Sequence, residues 1–343
     1  MKNIINLAAN SKVLNRILII QTASIGDVIL ATPLIESFAE QQPPVEIDFL
    51  LKKGCESLFE GHPYIREVMV WDKSEKKYAH LFALLKTIRK RKYDHVFNLQ
   101  RFASSGFLTV FSKALNTVGF DKNPFSFLYK NKVRHIIGTG TSLHEIDRNL
   151  MLIENIVEPK RQIKLYPNEA DIIEVQQYKN KPYICIAPAS LWETKKFPEK
   201  KWLEFLNSLP EDLAVFLIGS KNDEELCNNL VKKSVKPSVS SLAGKLSLLQ
   251  TAALLKDAKM NFTNDSAPQH LASAVNAPVA GIFCSTVPSF GFGPLSERSF
   301  IIETQENLGC RPCGIHGFKS CPEKHFKCAT TITNNQLLFC YNS

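Results

Sequence analysis

The chain has 343 residues, 44% of them apolar, a formal charge of +9 and nine cysteines. That length exceeds what one hydrophobic core holds and predicts two domains of roughly 150 residues each. No run approaches the roughly 20 apolar residues of a bilayer span, and the first fifteen residues lack the apolar stretch of a secretory signal, so a cytoplasmic protein is expected.

Ile4, Ile5, Leu7 and Ala8 have the spacing of a short amphipathic helix, which the sequence leaves undecided. Residues 16–21 form a continuous apolar run with β-branched members, the pattern of a strand buried on both faces of a parallel sheet. A small-residue turn over 22–27 follows, and then helical spacing over 28–40. Gly26 and Asp27 thus lie at the carboxyl mouth of the first strand, where open α/β sheets bind ligands; Asp27 also suits a plain helix N-cap. Strands are predicted over 45–50, 67–71 and 95–99, with helices over 78–91 and 103–115, and a further helix over 145–156 leads to a boundary near Tyr166. The second half repeats the alternation, with strands at 183–187, 213–218, 257–263 and 278–283 and helices at 200–207, 224–232, 248–255 and 270–275. Such alternation predicts α/β domains with parallel sheets built of βαβ units. The expected division is a first domain over 1–166 and a second over 167–343 whose last helix packs back on the first or stays with its own.

Three loops of the second half carry charge chemistry. Asn264-Asp265-Ser266-Ala267-Pro268-Gln269-His270 stands where a strand hands over to a helix, and free N–H groups at a helix start attract anions, phosphate above all. Ser266 is expected to cap that helix, Ala267 to offer an amide, and His270 either to point a donor at the same anion or to face the core. Residues 188–198 follow the strand at 183–187, so the Ser190 hydroxyl and the ammonium of Lys195 or Lys196 can meet phosphate oxygens there. After the strand at 213–218, an acidic residue in the loop over 219–225 can accept both hydroxyls of a ribose; Glu224 is the best match, with Asp223 and Glu225 as other registers. Elsewhere, Lys86, Arg89, Lys90, Arg91 and Lys92 form a basic cluster that is either a solvated helix end or a membrane-facing patch. Cys310, Cys313, Cys321 and Cys328 are spaced like a loose structural zinc knuckle or like free packing thiols. Cys55, Cys185, Cys227 and Cys284 fall in core segments, where a free thiol behaves as a small hydrophobe.

Ser24-Ile25-Gly26-Asp27-Val28-Ile29-Leu30-Ala31-Thr32-Pro33, Lys195-Lys196-Phe197-Pro198 and the Asn264–Leu271 motif, in that order, resemble the bacterial lipopolysaccharide heptosyltransferases of glycosyltransferase family 9. The resemblance implies a GT-B architecture, two Rossmann-like domains facing a cleft, the first binding mainly acceptor and the second mainly nucleotide sugar. It implies an inverting transfer of heptose from ADP-heptose to the lipopolysaccharide inner core, on a lipid A-Kdo type acceptor at the inner leaflet. Asp27 then acts as general base, Lys195 binds the donor diphosphate with Phe197 standing where the family usually has Trp, and His270 with the amides around Asp265 and Ser266 stabilises the leaving ADP. No cofactor and no metal are required, since no Asp-x-Asp loop offers to chelate the donor. No nucleic-acid partner is expected, and a monomer is. The alternatives are another nucleotide sugar or acceptor, or a GT-B epimerase or hydrolase.

Overall fold

The computed structural model describes residues 14–138 and 143–343. The chain forms two compact units. The first comprises residues 14–23, 31–135 and 148–162, the second 24–30, 136–138, 143–147 and 163–343. The amphipathic segment expected around Ile4–Ala8 lies outside the described residues.

The elements of the first half run, in chain order, β1 (Arg16–Ile20), α1 (Ile25–Ile29), α2 (Thr32–Ala39), β2 (Glu46–Lys52), β3 (Ile65–Trp71), α3 (Lys77–Arg91), β4 (His95–Asn98), α4 (Ala103–Val110), β5 (Asn116–Phe120), β6 (Asn131–Val133) and α5 (Glu145–Leu150). The six strands make one sheet in the order β3-β2-β1-β4-β5-β6, every pairing parallel. Four of the five β1 side chains are fully buried, as expected of a central strand covered on both faces. Leu18, Ile20, Leu50, Trp71, Leu85, Ile88 and Val96 pack one face of this core. Its polar knot is Asp48, wholly buried on β2, which accepts from Arg66 Nε at 2.9 Å, from Arg91 Nη1 at 2.7 Å and from the Tyr93 hydroxyl. A buried carboxylate survives only with such partners.

The second half runs α6 (Glu169–Gln176), β7 (Tyr183–Ala187), α7 (Glu199–Ser208), β8 (Ala214–Leu217), α8 (Glu224–Lys233), β9 (Val239–Ser241), α9 (Leu248–Lys256), β10 (Asn261–Asn264), α10 (Ala267–Ala274), β11 (Val279–Phe283), β12 (Ser299–Glu303), α11 (Lys327–Thr330) and α12 (Asn334–Asn342). Its sheet, in the order β12-β11-β10-β7-β8-β9, is again wholly parallel. The last helix contributes Leu337, Cys340 and Tyr341 to this unit's core, beside Trp202, Phe205 and Phe262. Both sheets therefore carry the doubly wound order of a Rossmann fold, in which the chain reverses direction between the first and fourth strands. Two such units in one chain are the make-up of the GT-B class.

Three local readings need correction. The helix predicted over 28–40 is broken into α1 and α2, because Pro33 at the start of α2 lacks the N–H that would continue α1. Asp27 is then not an N-cap but the third residue of α1, which Ser24 caps. The helix after the Asn264 loop begins at Ala267, three residues before the predicted His270, since Pro268 suits its first turn.

Candidate site at the strand switch point of the second unit

The second sheet reverses between β7 and β10, and the loops leaving the carboxyl ends of those two strands carry two of the sequence motifs. Asn264, fully buried at the end of β10, ties them together. Its Nδ2 donates to Pro188 O at 2.8 Å and to Ala189 O at 3.2 Å, while its Oδ1 accepts from Phe197 N at 2.9 Å. Phe197 itself is buried edge-on against Trp202, with ring centroids 5.1 Å apart. The loop between these anchors holds Ser190, partly exposed, and Lys195.

Lys195 Nζ lies 2.7 Å from Asp265 Oδ2, and the Thr286 hydroxyl donates to the same oxygen at 2.7 Å. Lys196 turns away to Glu193 at 2.7 Å. Of the two lysines left open by the sequence, Lys195 is the one brought to Asp265. The Asp265 amide is spent on Ile282 O at 3.0 Å. Those of Ser266 and Ala267, at the start of α10, have no acceptor among the described residues. Ser266 does not cap the helix as expected; its extended backbone aims the hydroxyl at Asn264 O, 3.3 Å away. The first turn of α10 is thus uncapped, and its positive end is open.

His270, in the next turn of α10, is buried, and its Nδ1 has no hydrogen-bond partner. Burial holds its pKa down to about 4, the nearby Lys195 and His144 adding to the effect and Asp265 opposing it. At neutral pH the ring is an uncharged donor and acceptor. It packs on Gly26, where a Cβ would lie 2.9 Å from His270 Cδ2. This explains the glycine of the Ser24–Pro33 motif, a position that has no room for a side chain.

Asp27 belongs to the same unit as His270, through α1, which packs on α10. Its carboxylate accepts from Ser24 N at 3.1 Å and from the Ser24 hydroxyl at 2.5 Å. Burial raises its pKa above the ordinary aspartate value, and the like charge of Glu145 pushes the same way; the Ser24 bonds and His316 pull less strongly in the other direction. A carboxylate with raised basicity is better matched to taking a proton near neutral pH.

The three acids of the loop after β8 stand in different settings. Asp223 closes a capping box, accepting from Ser220 N at 2.8 Å and Ser220 Oγ at 2.7 Å. Glu225 is exposed, whereas Glu224 is partly buried over Gly244, at which a Cβ would meet its Oε1 at 2.5 Å.

The zinc knuckle expected of the cysteine segment finds no support. No group of three or more His, Cys, Asp and Glu side chains among the described residues could hold a metal ion. Cys328 is buried in α11, and Cys313 Sγ turns to Cys310 O at 3.3 Å. The segment instead braces the site. Arg311 donates to Cys284 O at 2.8 Å, to Phe283 O at 3.1 Å and to Thr286 O at 2.8 Å, and it pairs with Glu303 at 2.6 Å. Phe318 N donates to the Thr194 hydroxyl at 2.8 Å, and Gly317 lies close against Lys195. Sequence reading passed over Arg311, Thr286 and Glu145. The first two reveal themselves only through backbone carbonyls and a carboxylate far away in the chain, and Glu145 reads as an ordinary first-turn acid.

A family model for glycosyltransferase family 9 (heptosyltransferase) matches residues 81–320, well over half of the chain. The chain belongs to that family. It is accordingly a glycosyltransferase. Among its relatives, lipopolysaccharide heptosyltransferase 3 of Escherichia coli is 25% identical over 281 residues, 76% of this chain and 81% of its own. Among solved structures, a glycosyl transferase family 9 protein from Veillonella parvula covers 97% of this chain and 98% of its own at a TM-score of 0.83 and 20% identity. The E. coli ADP-heptose lipopolysaccharide heptosyltransferase II covers 95% and 97% at a TM-score of 0.78 and 20% identity.

The contact between Gly26 and His270 yields a test of the packing that joins two motifs of the family. Gly26→Ala should cost about 1–3 kcal/mol of stability in urea unfolding, the range for overpacking. An unchanged unfolding midpoint would mean that the imidazole yields freely and is not held by its surroundings.

Proposed function

We propose that this glycosyltransferase moves a heptose from ADP-heptose to a hydroxyl of the lipopolysaccharide inner core, with inversion at the anomeric carbon and without a metal ion. The observation that carries the reading is a cation paired with Asp265 beside the open start of α10, with Asp27 and His270 on two helices packed together in the same unit. The names of the relatives, which specify heptose, lipopolysaccharide and in one case ADP-heptose, supply the donor and acceptor class. The acceptor is a lipid, which implies work at the inner leaflet by a cytoplasmic, membrane-peripheral protein. No helix among the described residues is long and apolar enough to cross a membrane.

In the proposed reaction the acceptor oxygen attacks the anomeric carbon as Asp27 takes its proton. The bond from that carbon to the phosphate oxygen breaks, and the negative charge gained by ADP falls on Lys195, the amides of Ser266 and Ala267, the Ser190 hydroxyl and the neutral His270 ring. These groups replace the divalent cation that other nucleotide-sugar enzymes use to offset the diphosphate. Asp265 is the anchor of Lys195 and not itself a phosphate ligand, since two anions in contact would repel. Glu224 takes the ribose hydroxyls. The direct test is initial-rate measurement of heptose transfer from ADP-heptose to a heptose-deficient core in excess EDTA. Full activity is expected, whereas loss restored only by magnesium, or release of free heptose with no core product, would overturn the mechanism.

Asp27→Asn should leave ADP affinity within about threefold of wild type and lower turnover by a factor on the order of 100 or more. The base must be ionised, so a raised pKa moves the acid limb of the kcat/KM profile to higher pH than an ordinary aspartate would give. Removing the like charge in Glu145→Gln should lower that pKa and shift the limb toward acid. A limb that stays in place in Glu145→Gln would take the titrating group away from Asp27.

Lys195→Ala is expected to weaken ADP by roughly 1.5–3 kcal/mol, as for loss of a hydrogen bond between charged partners, with acceptor affinity unchanged. Lys196→Ala should do neither. Calorimetric titration with ADP separates the two lysines, and equal losses in both variants would contradict the assignment.

A further inference from the structure

The basic end of α3 has no part in the site above. Along the exposed side of this helix Tyr78, Phe82, Lys86 and Arg89 follow one another at helical spacing, with Tyr78 and Phe82 retaining 69% and 58% of their surface. At its end opens a cavity of about 830 Å3 with Leu85 and Tyr93 among its lining residues; Phe82, Leu115 and five cations, Lys86, Arg89, Lys90, Lys92 and Lys113, complete it. No acidic residue lines it. Arg89 is steadied by a 2.7 Å bond to Phe111 O, and none of the four lysines pairs with a carboxylate among the described residues.

Its place in the fold sets this groove apart. Lys92 and Tyr93 precede β4, and Lys113 and Leu115 precede β5, so the groove lies at the amino ends of parallel strands, opposite the carboxyl ends where such sheets bind substrates. Sequence alone leaves this cluster open between a solvated helix end and a membrane patch; the apolar floor, the exposed aromatics and the cations that no carboxylate offsets favour the second.

We infer that the α3 groove is the surface by which the protein docks on a bilayer rich in anionic phospholipid, its cations meeting headgroup phosphates and Phe82, Tyr78 and Leu115 entering the boundary of the acyl chains. Cations around an apolar floor, flanked by exposed aromatic rings, match the layered chemistry of that interface. Each cation near an anionic surface adds to the attraction, and the sum decays within a Debye length. The inference deepens the membrane-peripheral reading above and rests on it.

The test is co-sedimentation of the full chain with vesicles of phosphatidylglycerol and phosphatidylcholine, against phosphatidylcholine alone. Wild type should bind the anionic vesicles, weaken as salt rises and ignore the neutral ones. The triple reversal Lys86→Glu, Lys90→Glu, Lys113→Glu should lower partitioning at least about a hundredfold. Phe82→Ala should lower it severalfold while keeping the salt dependence. Both variants should transfer heptose to a delipidated core oligosaccharide at wild-type rates, which also shows that they fold. Equal binding to neutral vesicles, undiminished binding by the triple variant, or a tighter grip on a duplex nucleic acid than on the vesicles would overturn the inference. If instead wild type binds anionic vesicles through these residues but transfers no heptose to any core, the docking surface stands and the proposed function falls.

Discussion

The side chain of Asn264 holds two loops of the second sheet in register. A carboxamide has a donor end and an acceptor end, and here both are spent on backbone from the loop after β7, on either side of Lys195. Burial makes those bonds costly to break, because an exposed alternative for the same polar atoms is absent. With the loop fixed to the end of β10, Lys195 has one place to go, the carboxylate on the very next residue. Asp265 is in turn held from the far side by Thr286, whose loop Arg311 grips by three carbonyls. A chain of neutral and charged hydrogen bonds thus runs from the cysteine segment to the cation, and every member but the lysine is there to position something else.

The neighbouring contacts explain how acid and base character are divided. His270 is buried and Asp27 partly so, and loss of water disfavours charge on each, making the imidazole a poor base and the carboxylate a better one. Had the two been placed against each other as an ion pair, each would have stabilised the charge of its partner. Gly26 and Ser24 occupy the nearby space instead. The ring rests on a bare α-carbon, and the carboxylate is turned back on the cap of its own helix.

Much of this was legible from residue order. Continuous apolar runs such as 16–20 announced buried parallel strands, and small polar turns after them announced the loops that carry Asp27, Lys195 and Asp265. Short elements were not legible: β6 and β9 have three residues each, too few for any period to register. Nor could sequence separate Lys195 from Lys196 or Glu224 from Asp223, since adjacent residues of like charge differ only in what lies opposite them. Ser266 misled because serine before a helix usually caps it, and a spacing like that of a zinc knuckle does not by itself place three ligands around one ion. Arg311 was invisible for the opposite reason. Three of its partners are carbonyl oxygens, which every residue has.

In the proposed reaction the ion pair of Lys195 and Asp265 has a consequence for turnover. An empty phosphate site lined only by donors would carry an uncompensated buried cation, and would hold any diphosphate tightly, the spent one included. Here the lysine keeps Asp265 as its counter-ion, so in the proposed reaction an incoming diphosphate would share the cation with a carboxylate. Its net gain would be smaller than the contact itself, about tenfold less tight for each 1.4 kcal/mol that the internal pair retains. Asp265, while anchoring the lysine, would thus give up ground-state affinity in return for quicker release of the nucleotide.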